Sequence, residues 1–175
     1  MANLHDSPHF ANYDEYYTPA SAWKQINHII PKDKIIWEAC MLNCSLSSSP
    51  LFLEELGCKE VVWDIKQDVL IDQPDNFDMI ITNPPFQTEL KKNILKRLVE
   101  IDKPFIIIMN SMNTFSKYMR DIFKGNFKHL QIITPEGKIN FGKNLDGVVV
   151  PTNNCSFYCI YLCYKCDISN VNLWL

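Results

Sequence analysis

Apolar and polar positions along this chain repeat with two periods, one near 3.6 residues and one of short continuous apolar runs. Thr18 and Pro19 read as an N-cap followed by a first-turn proline, and Ala22, Ile26, Ile29 and Ile30 then recur at helical spacing until Pro31. The run IIWEAC after Asp33 predicts a buried strand. A polar, serine-rich turn over residues 43–49 follows, in which Ser49 and Pro50 repeat the cap pattern and Gly57 closes a short helix. VVWDI predicts a second strand and FDMIIT a third. Leu90, Ile94, Leu98 and Ile101 form one helical stripe opposite Lys91, Lys92, Lys96 and Arg97. PFIIIMN predicts a fourth strand. A helix around Phe115, Tyr118, Met119 and Ile122 is expected to stop near Gly125, with LQIIT as a fifth strand and SFYCIYLCYK as another near the C-terminus.

Apolar strands alternating with amphipathic helices, with no repeat and no long linker, predict an α/β sandwich around a mainly parallel sheet. Residues 1–15 are polar without a period and are expected to form an arm, mobile or ordered on binding, ahead of one domain over residues 16–175. In such sheets ligands gather beyond the carboxyl ends of the strands. That rule selects residues 38–49, 64–68, 83–86 and 110–113.

Composition narrows this. A length of 175 residues, 47% hydrophobic, suits one compact domain that buries roughly 70% of its unfolded surface. No apolar run approaches the roughly 20 residues of a membrane helix, and the N-terminus lacks a signal-peptide profile, so a soluble, cytoplasmic protein is expected. The net charge of −3 hides an asymmetry: residues 1–86 carry 5 Lys or Arg against 13 Asp or Glu, whereas residues 87–143 carry 11 against 5. An acidic half followed by a basic one suggests two surfaces facing chemically different partners. The seven cysteines have apolar flanks and read as reduced core residues. Cys155, Cys159, Cys163 and Cys166 are spaced for a strand, where four residues separate thiols by roughly 13 Å, too far to share one zinc ion. No metal is expected, and none of His5, His9, His28 or His129 has a metal-ligand or triad spacing.

The sharpest local chemistry is Asn83, Pro84, Pro85 and Phe86 directly after an apolar strand. Two prolines fix φ and remove two amide donors, leaving rigid carbonyl acceptors between an amide side chain and an aromatic face. That arrangement suits a planar amine. The Asn83 side-chain oxygen and the Pro84 carbonyl can each accept one N–H of an NH2 group, while Phe86 stacks on the attached ring.

EYYTP, IIWEAC, LEELG, FDMIITNPPF, DKPFIIIM and CIYLCYK, in this order from residue 15 to about residue 165, resemble class I S-adenosylmethionine-dependent methyltransferases. The similarity is greatest to the adenine N-6 DNA methyltransferase-like proteins of phages and large DNA viruses. The resemblance implies a Rossmann-like sandwich with an antiparallel strand near the C-terminus and, if the chain is viral, a place in the host cytoplasm. It implies Asn83, Pro84, Pro85 and Phe86 as the catalytic loop, and S-adenosylmethionine as cofactor. Tyr17, Thr18 and Pro19 match the segment closing over its methionine part. Glu38, Ala39 and Cys40 match the end of the first strand, where a carboxylate favours the cation. Asp64 matches the ribose-binding carboxylate, and Asp68 with Val69 matches the position beside the cofactor's adenine. The implied reaction is direct methyl transfer to an exocyclic nitrogen, with adenine in DNA favoured and a duplex base flipped onto Phe86. Lys91, Lys92, Lys96, Arg97, Lys117, Arg120, Lys124 and Lys128 would then meet phosphates.

The sequence departs from this pattern in three places. The glycine-rich loop after the first strand is replaced by MLNCSLSSS, in which Asn43 tolerates the left-handed conformation and the serines can donate hydrogen bonds. Only 11 residues separate Ile65 from Phe77, so one sheet edge is expected to be trimmed. No block remains for a target-recognition domain, which leaves specificity to short loops, the arm, a homodimer or a partner protein. Two alternatives stay open: methylation of a protein glutamine amide, which offers the same planar NH2, and a catalytically silent module of this fold that binds a partner or nucleic acid.

Overall fold

The computed structural model describes residues 16–152, 155, 157–168 and 172–174, so the expected arm lies outside the described residues. The chain runs α1 (Ala20–Gln25), β1 (Ile35–Trp37), α2 (Ser49–Glu55), β2 (Glu60–Val62), β3 (Met79–Thr82), α3 (Thr88–Ile101), β4 (Phe105–Asn110), α4 (Lys117–Ile122), β5 (Leu130–Thr134), β6 (Gly142–Leu145), β7 (Val148–Pro151), β8 (Cys159–Tyr164) and β9 (Asn172–Trp174). Seven strands form one sheet in the order β2-β1-β3-β4-β8-β5-β9. All pair in parallel except β8, which is antiparallel to both β4 and β5. This is the expected Rossmann-like sandwich, trimmed at β2: residues 63–78 contribute turns and no further strand. No helix among the described residues is long and apolar enough to cross a membrane.

Strand alternation explains the two cores. Ile36, Ile81, Ile106, Ile108, Cys159, Tyr161 and Cys163 point to one face and meet Trp23 and Ile26 of α1 and its following turn, and Leu53 of α2. Ile35, Trp37, Ile80, Phe105, Ile107, Ile160, Leu162 and Tyr164 point to the other and meet Leu90, Ile94, Leu95 and Leu98 of α3. The strand cysteines are buried packing residues with free thiols. Among the described residues no group of His, Cys, Asp or Glu is placed to hold a metal ion.

Several boundaries differ from the sequence pattern. Tyr17 is drawn into an extended bridge with Gly142, so Pro19 takes the cap position of α1 and Thr18 makes no capping bond. That helix ends at Gln25, and the chain continues in turns while Ile26 and Ile30 remain buried. Ser48, one residue earlier than expected, is the cap position of α2. Phe115 lies before α4 and is 93% exposed, because the Asn110 side chain accepts from Met112 N at 2.9 Å and closes a 3-10 turn over Ser111–Asn113. The β6–β7 hairpin was legible in Asp146-Gly147, both at positive φ, the strongest short-range hairpin signal; the periodicity reading passed over it, as it did β9.

Gly142 is required by close approach. A Cβ there would meet Val149 Cγ1 at 2.4 Å and Tyr17 Cβ at 3.3 Å. Gly142→Ala is expected to lower stability by about 1–3 kcal/mol, read from denaturant unfolding; an unchanged midpoint would show that the hairpin does not hold Tyr17.

Candidate functional site

The strand order reverses between β1 and β3, which lie side by side and leave the sheet at the same edge. Here Glu38 follows β1, Thr82 ends β3 and Asn83 follows it. Glu38 and Asn83 open on a cleft of about 90 Å³ that Tyr16, Tyr17, Thr18, Cys40, Met41, Asn43, Cys44, Ser47, Ser49 and the rest of the 83–86 turn line with them.

Glu38 is the electrostatic centre. Its carboxylate is 2% exposed. Ser49 Oγ donates to Oε2 at 2.5 Å and Thr82 Oγ1 donates to Oε1. Trp23 Nε1 in turn donates to Ser49 Oγ at 2.9 Å, and Cys40 N donates to Thr82 Oγ1 at 3.1 Å. Burial pushes the Glu38 carboxyl up to about 7, with the hydroxyl and Cys40 backbone bonds pulling in the opposite direction. Burial likewise raises the Cys40 thiol far above its ordinary value, reinforced by Glu38, Cys44 and Asp68, so it stays protonated and unreactive at neutral pH.

Asn83 is held in one orientation and left with one open valence. Its Nδ2 donates to the Tyr16 carbonyl at 3.3 Å, while Oδ1 is buried with no hydrogen-bond partner among the described residues. A buried acceptor in this state costs about 1–3 kcal/mol. Pro84 and Pro85 supply no N–H that could reach it. Phe86 sits in a four-ring cluster, with ring centres 5.4 Å from Tyr16, 5.4 Å from Phe141 and 4.9 Å from Phe157. The turn is fixed from behind by Lys91, whose ammonium donates to the Phe86 carbonyl at 3.2 Å, and α3 is then capped by the Gln87 side chain on Leu90 N at 2.7 Å. Lys143 lies over the Tyr16 ring, 5.4 Å from its centre.

Asn43 takes φ 59° and donates its N–H to the Ile65 carbonyl at 2.9 Å, so the glycine-free loop makes its left-handed turn on an asparagine. Of the other expected cofactor residues, Tyr17, Thr18, Glu38 and Cys40 also reach the cleft, whereas Pro19 lines an adjoining cavity of about 240 Å³ with Tyr17, Thr18 and Gly142. Ala39 and Val69 point into the α3-side core. Asp64 and Asp68 lie outside the cleft lining, their carboxylates accepting from Lys66 N at 2.8 Å and Leu70 N at 3.0 Å. The basic residues divide. Lys91 is 2% exposed and cannot present to a phosphate. Lys92 pairs with Glu89 and Lys117 with Asp121, Arg97 donates to Gln73, and Lys96, Arg120, Lys124 and Lys128 are exposed. Met41, Cys44, Ser47 and Ser49 fall within the 38–49 segment expected at the strand ends, though none was singled out for a role. Tyr16 and Thr82 lie outside the expected segments; Thr82 carried a signal as the hydroxyl in an apolar strand.

No protein-family model matches the sequence, and no curated protein is significantly similar. Solved structures with a similar backbone include a type I restriction-modification system methyltransferase subunit from Streptococcus thermophilus (15% identity, 90% of this chain and 46% of that one, TM-score 0.43). Others are a SAM-dependent methyltransferase from Agrobacterium tumefaciens (12%, 83% and 60%, TM-score 0.45) and a T. thermophilus 16S rRNA N2 G1207 methyltransferase in complex with AdoMet and guanosine (15%, 89% and 44%, TM-score 0.46). The chain spans roughly half the length of these proteins. The likeness is one of strand arrangement, so the chemistry rests on the cleft itself.

Proposed function

We propose that this chain transfers a methyl group from S-adenosylmethionine to the exocyclic amine of adenine in nucleic acid, with DNA the favoured substrate. One observation carries the reading: a buried carboxylate held by two hydroxyl donors shares a cleft with a buried amide oxygen that has no hydrogen-bond partner among the described residues, on a donor-free proline turn. The first is the complement of a cationic ligand and the second of an N–H donor.

The residues fit the cofactor. Glu38 would face its positive charges, with Tyr17, Thr18 and Asn43 around them; when bound, S-adenosylmethionine supplies an electrophilic methyl group on a sulfonium. The chain does the positioning. Asn83 Oδ1 and the Pro84 carbonyl accept the two N–H groups of the amine and turn its lone pair toward the cleft. Phe86, braced by three rings, gives the attached heterocycle a flat contact. The amine's surplus proton leaves to water after transfer, so no strong base is needed. The enclosed volume is small against the 300–1,000 Å³ of ordinary ligand pockets, and Tyr17 and Thr18 line both the cleft and the adjoining cavity, so the ligand would draw on the space of both. Lys92, Lys96, Arg97, Lys117, Arg120, Lys124 and Lys128 are the phosphate-facing candidates.

A tritiated-methyl transfer assay against DNA, RNA and protein pools, followed by digestion, tests this directly. The expected product is N6-methyldeoxyadenosine. Label on glutamine would move the reading to protein, and absence of cofactor binding at millimolar concentration would leave only a binding module. Lys91→Met, which preserves the stem and removes a charge-assisted bond worth about 1.5–3 kcal/mol, is expected to slow transfer about tenfold in kcat with little change in cofactor affinity; unchanged kcat would free the turn from dependence on Lys91.

A further inference from the structure

The carboxyl end of β4 carries side chains that the proposed chemistry does not use. Met112 is 83% exposed and Phe115 93%, both on the segment that the Asn110 side chain folds back. Ser111 N donates to the Tyr158 carbonyl at 2.9 Å, which joins that segment to the residue preceding β8, and Tyr158 is 61% exposed. Lys138 holds its ammonium 4.9 Å from the Tyr158 ring centre. The neighbouring Phe157 packs on Phe86 with ring centres 4.9 Å apart, so the chain places Tyr158 one residue from a ring that touches the amine-binding turn.

We infer that Met112, Phe115 and Tyr158 form a stacking platform for the bases flanking the target, and that the nucleic acid recognised is unpaired. The inference rests on the methyl-transfer reading for the direction of the target and deepens it. A duplex hides its base faces and presents phosphates and groove edges, which exposed rings do not read; Lys96, Arg120, Lys124 and Lys128 are exposed and would meet the phosphates of either form, so the rings and not the charge separate the two. An unpaired strand presents base faces, which aromatic rings accept with little regard to sequence. The solvent-facing rings, with one ammonium beside Tyr158, match the second case.

Fluorescence anisotropy of the full chain with labelled oligonucleotides of about 15 nucleotides, single-stranded DNA and RNA and the matching duplex, tests the platform without requiring catalysis. The single strands are expected to bind at least about tenfold more tightly than the duplex. Phe115→Ala and Tyr158→Ala, both at exposed positions, are each expected to weaken single-strand binding about tenfold and to leave duplex binding and the unfolding midpoint unchanged. Equal affinity for the duplex, single-strand binding unaffected by both substitutions, or no nucleic-acid binding at all would each overturn the platform; a protein partner lost on the same substitutions with oligonucleotide binding unchanged would overturn it in favour of a protein-docking surface. The two readings fail separately. Variant-sensitive binding of single strands without methyl transfer removes the enzyme and keeps the platform, whereas transfer to DNA unaltered in both variants keeps the enzyme and removes the platform.

Discussion

Asn83→Ala is expected to reduce methyl transfer about 10²–10³-fold, the scale for removing one preorganised polar contact to the reacting group, while cofactor affinity changes less than about twofold. Among the described residues Oδ1 has no hydrogen-bond partner, so its loss breaks no bond there, and the Nδ2 bond to the Tyr16 carbonyl at 3.3 Å is what the substitution removes. The two effects on stability oppose each other: a modest bond disappears, and a buried acceptor that costs about 1–3 kcal/mol disappears with it. The unfolding midpoint should therefore hold or rise while turnover collapses. Steady-state kinetics with calorimetric cofactor titration checks the first part and thermal unfolding the second. Retained turnover would sink the catalytic assignment, and a large fall in midpoint would show that the residue serves the fold.

Glu38→Gln separates binding from stability by pH. In the folded chain the carboxyl titrates at about 7, against an ordinary 4.5, so between those values the folded state holds the proton more often than the unfolded one. Stability from this group is therefore present below pH 4.5, falls as pH rises through the window, and levels above 7, a loss of about 3 kcal/mol in all. Glutamine removes the titration. The variant is expected to unfold later than the parent at pH 8 and at the same midpoint at pH 4.5. Binding runs the other way: a cationic ligand needs the ionised form, so parent affinity should be flat above pH 7 and fall towards tenfold per unit below it, whereas the variant binds weakly and without pH dependence. A parent whose affinity does not change between pH 5 and 8 would remove Glu38 from the ligand's charge.

How much of this was legible in the sequence depends on the length scale of the cause. The order of β1 to β5 and β8 with their helices, the trimmed edge and the 83–86 turn follow from local periodicity and from what proline forbids. Asn43 in the left-handed region followed from the absence of glycine in its loop. The environment of Glu38 did not, because Ser49 and Thr82 lie 11 and 44 residues away from it and meet only through the parallel pairing of β1 and β3 and the placement of α2. Lys91 misled for the opposite reason. Helical spacing placed it among solvent-facing cations, but the first turn of α3 packs behind the proline turn, and the stem is enclosed there. Phe115 misled through competition: its apolar character fitted a helix, and a short-range bond from Asn110 took the backbone first.

The insertion of β8 has a consequence for how the chain acquires its shape. It lies between β4 and β5 in the sheet, pairing with six residues of the one and four of the other, yet it follows both in sequence, and all six of its residues are buried. During synthesis β4 and β5 therefore wait beside an open slot, with apolar faces and unpaired backbone exposed, until residue 164 has left the ribosome. Apart from the β9 edge, which follows β8 in sequence, the rest of the sheet can form early while its centre stays open, which makes the interval before β8 arrives the period in which a nascent chain is most vulnerable to aggregation.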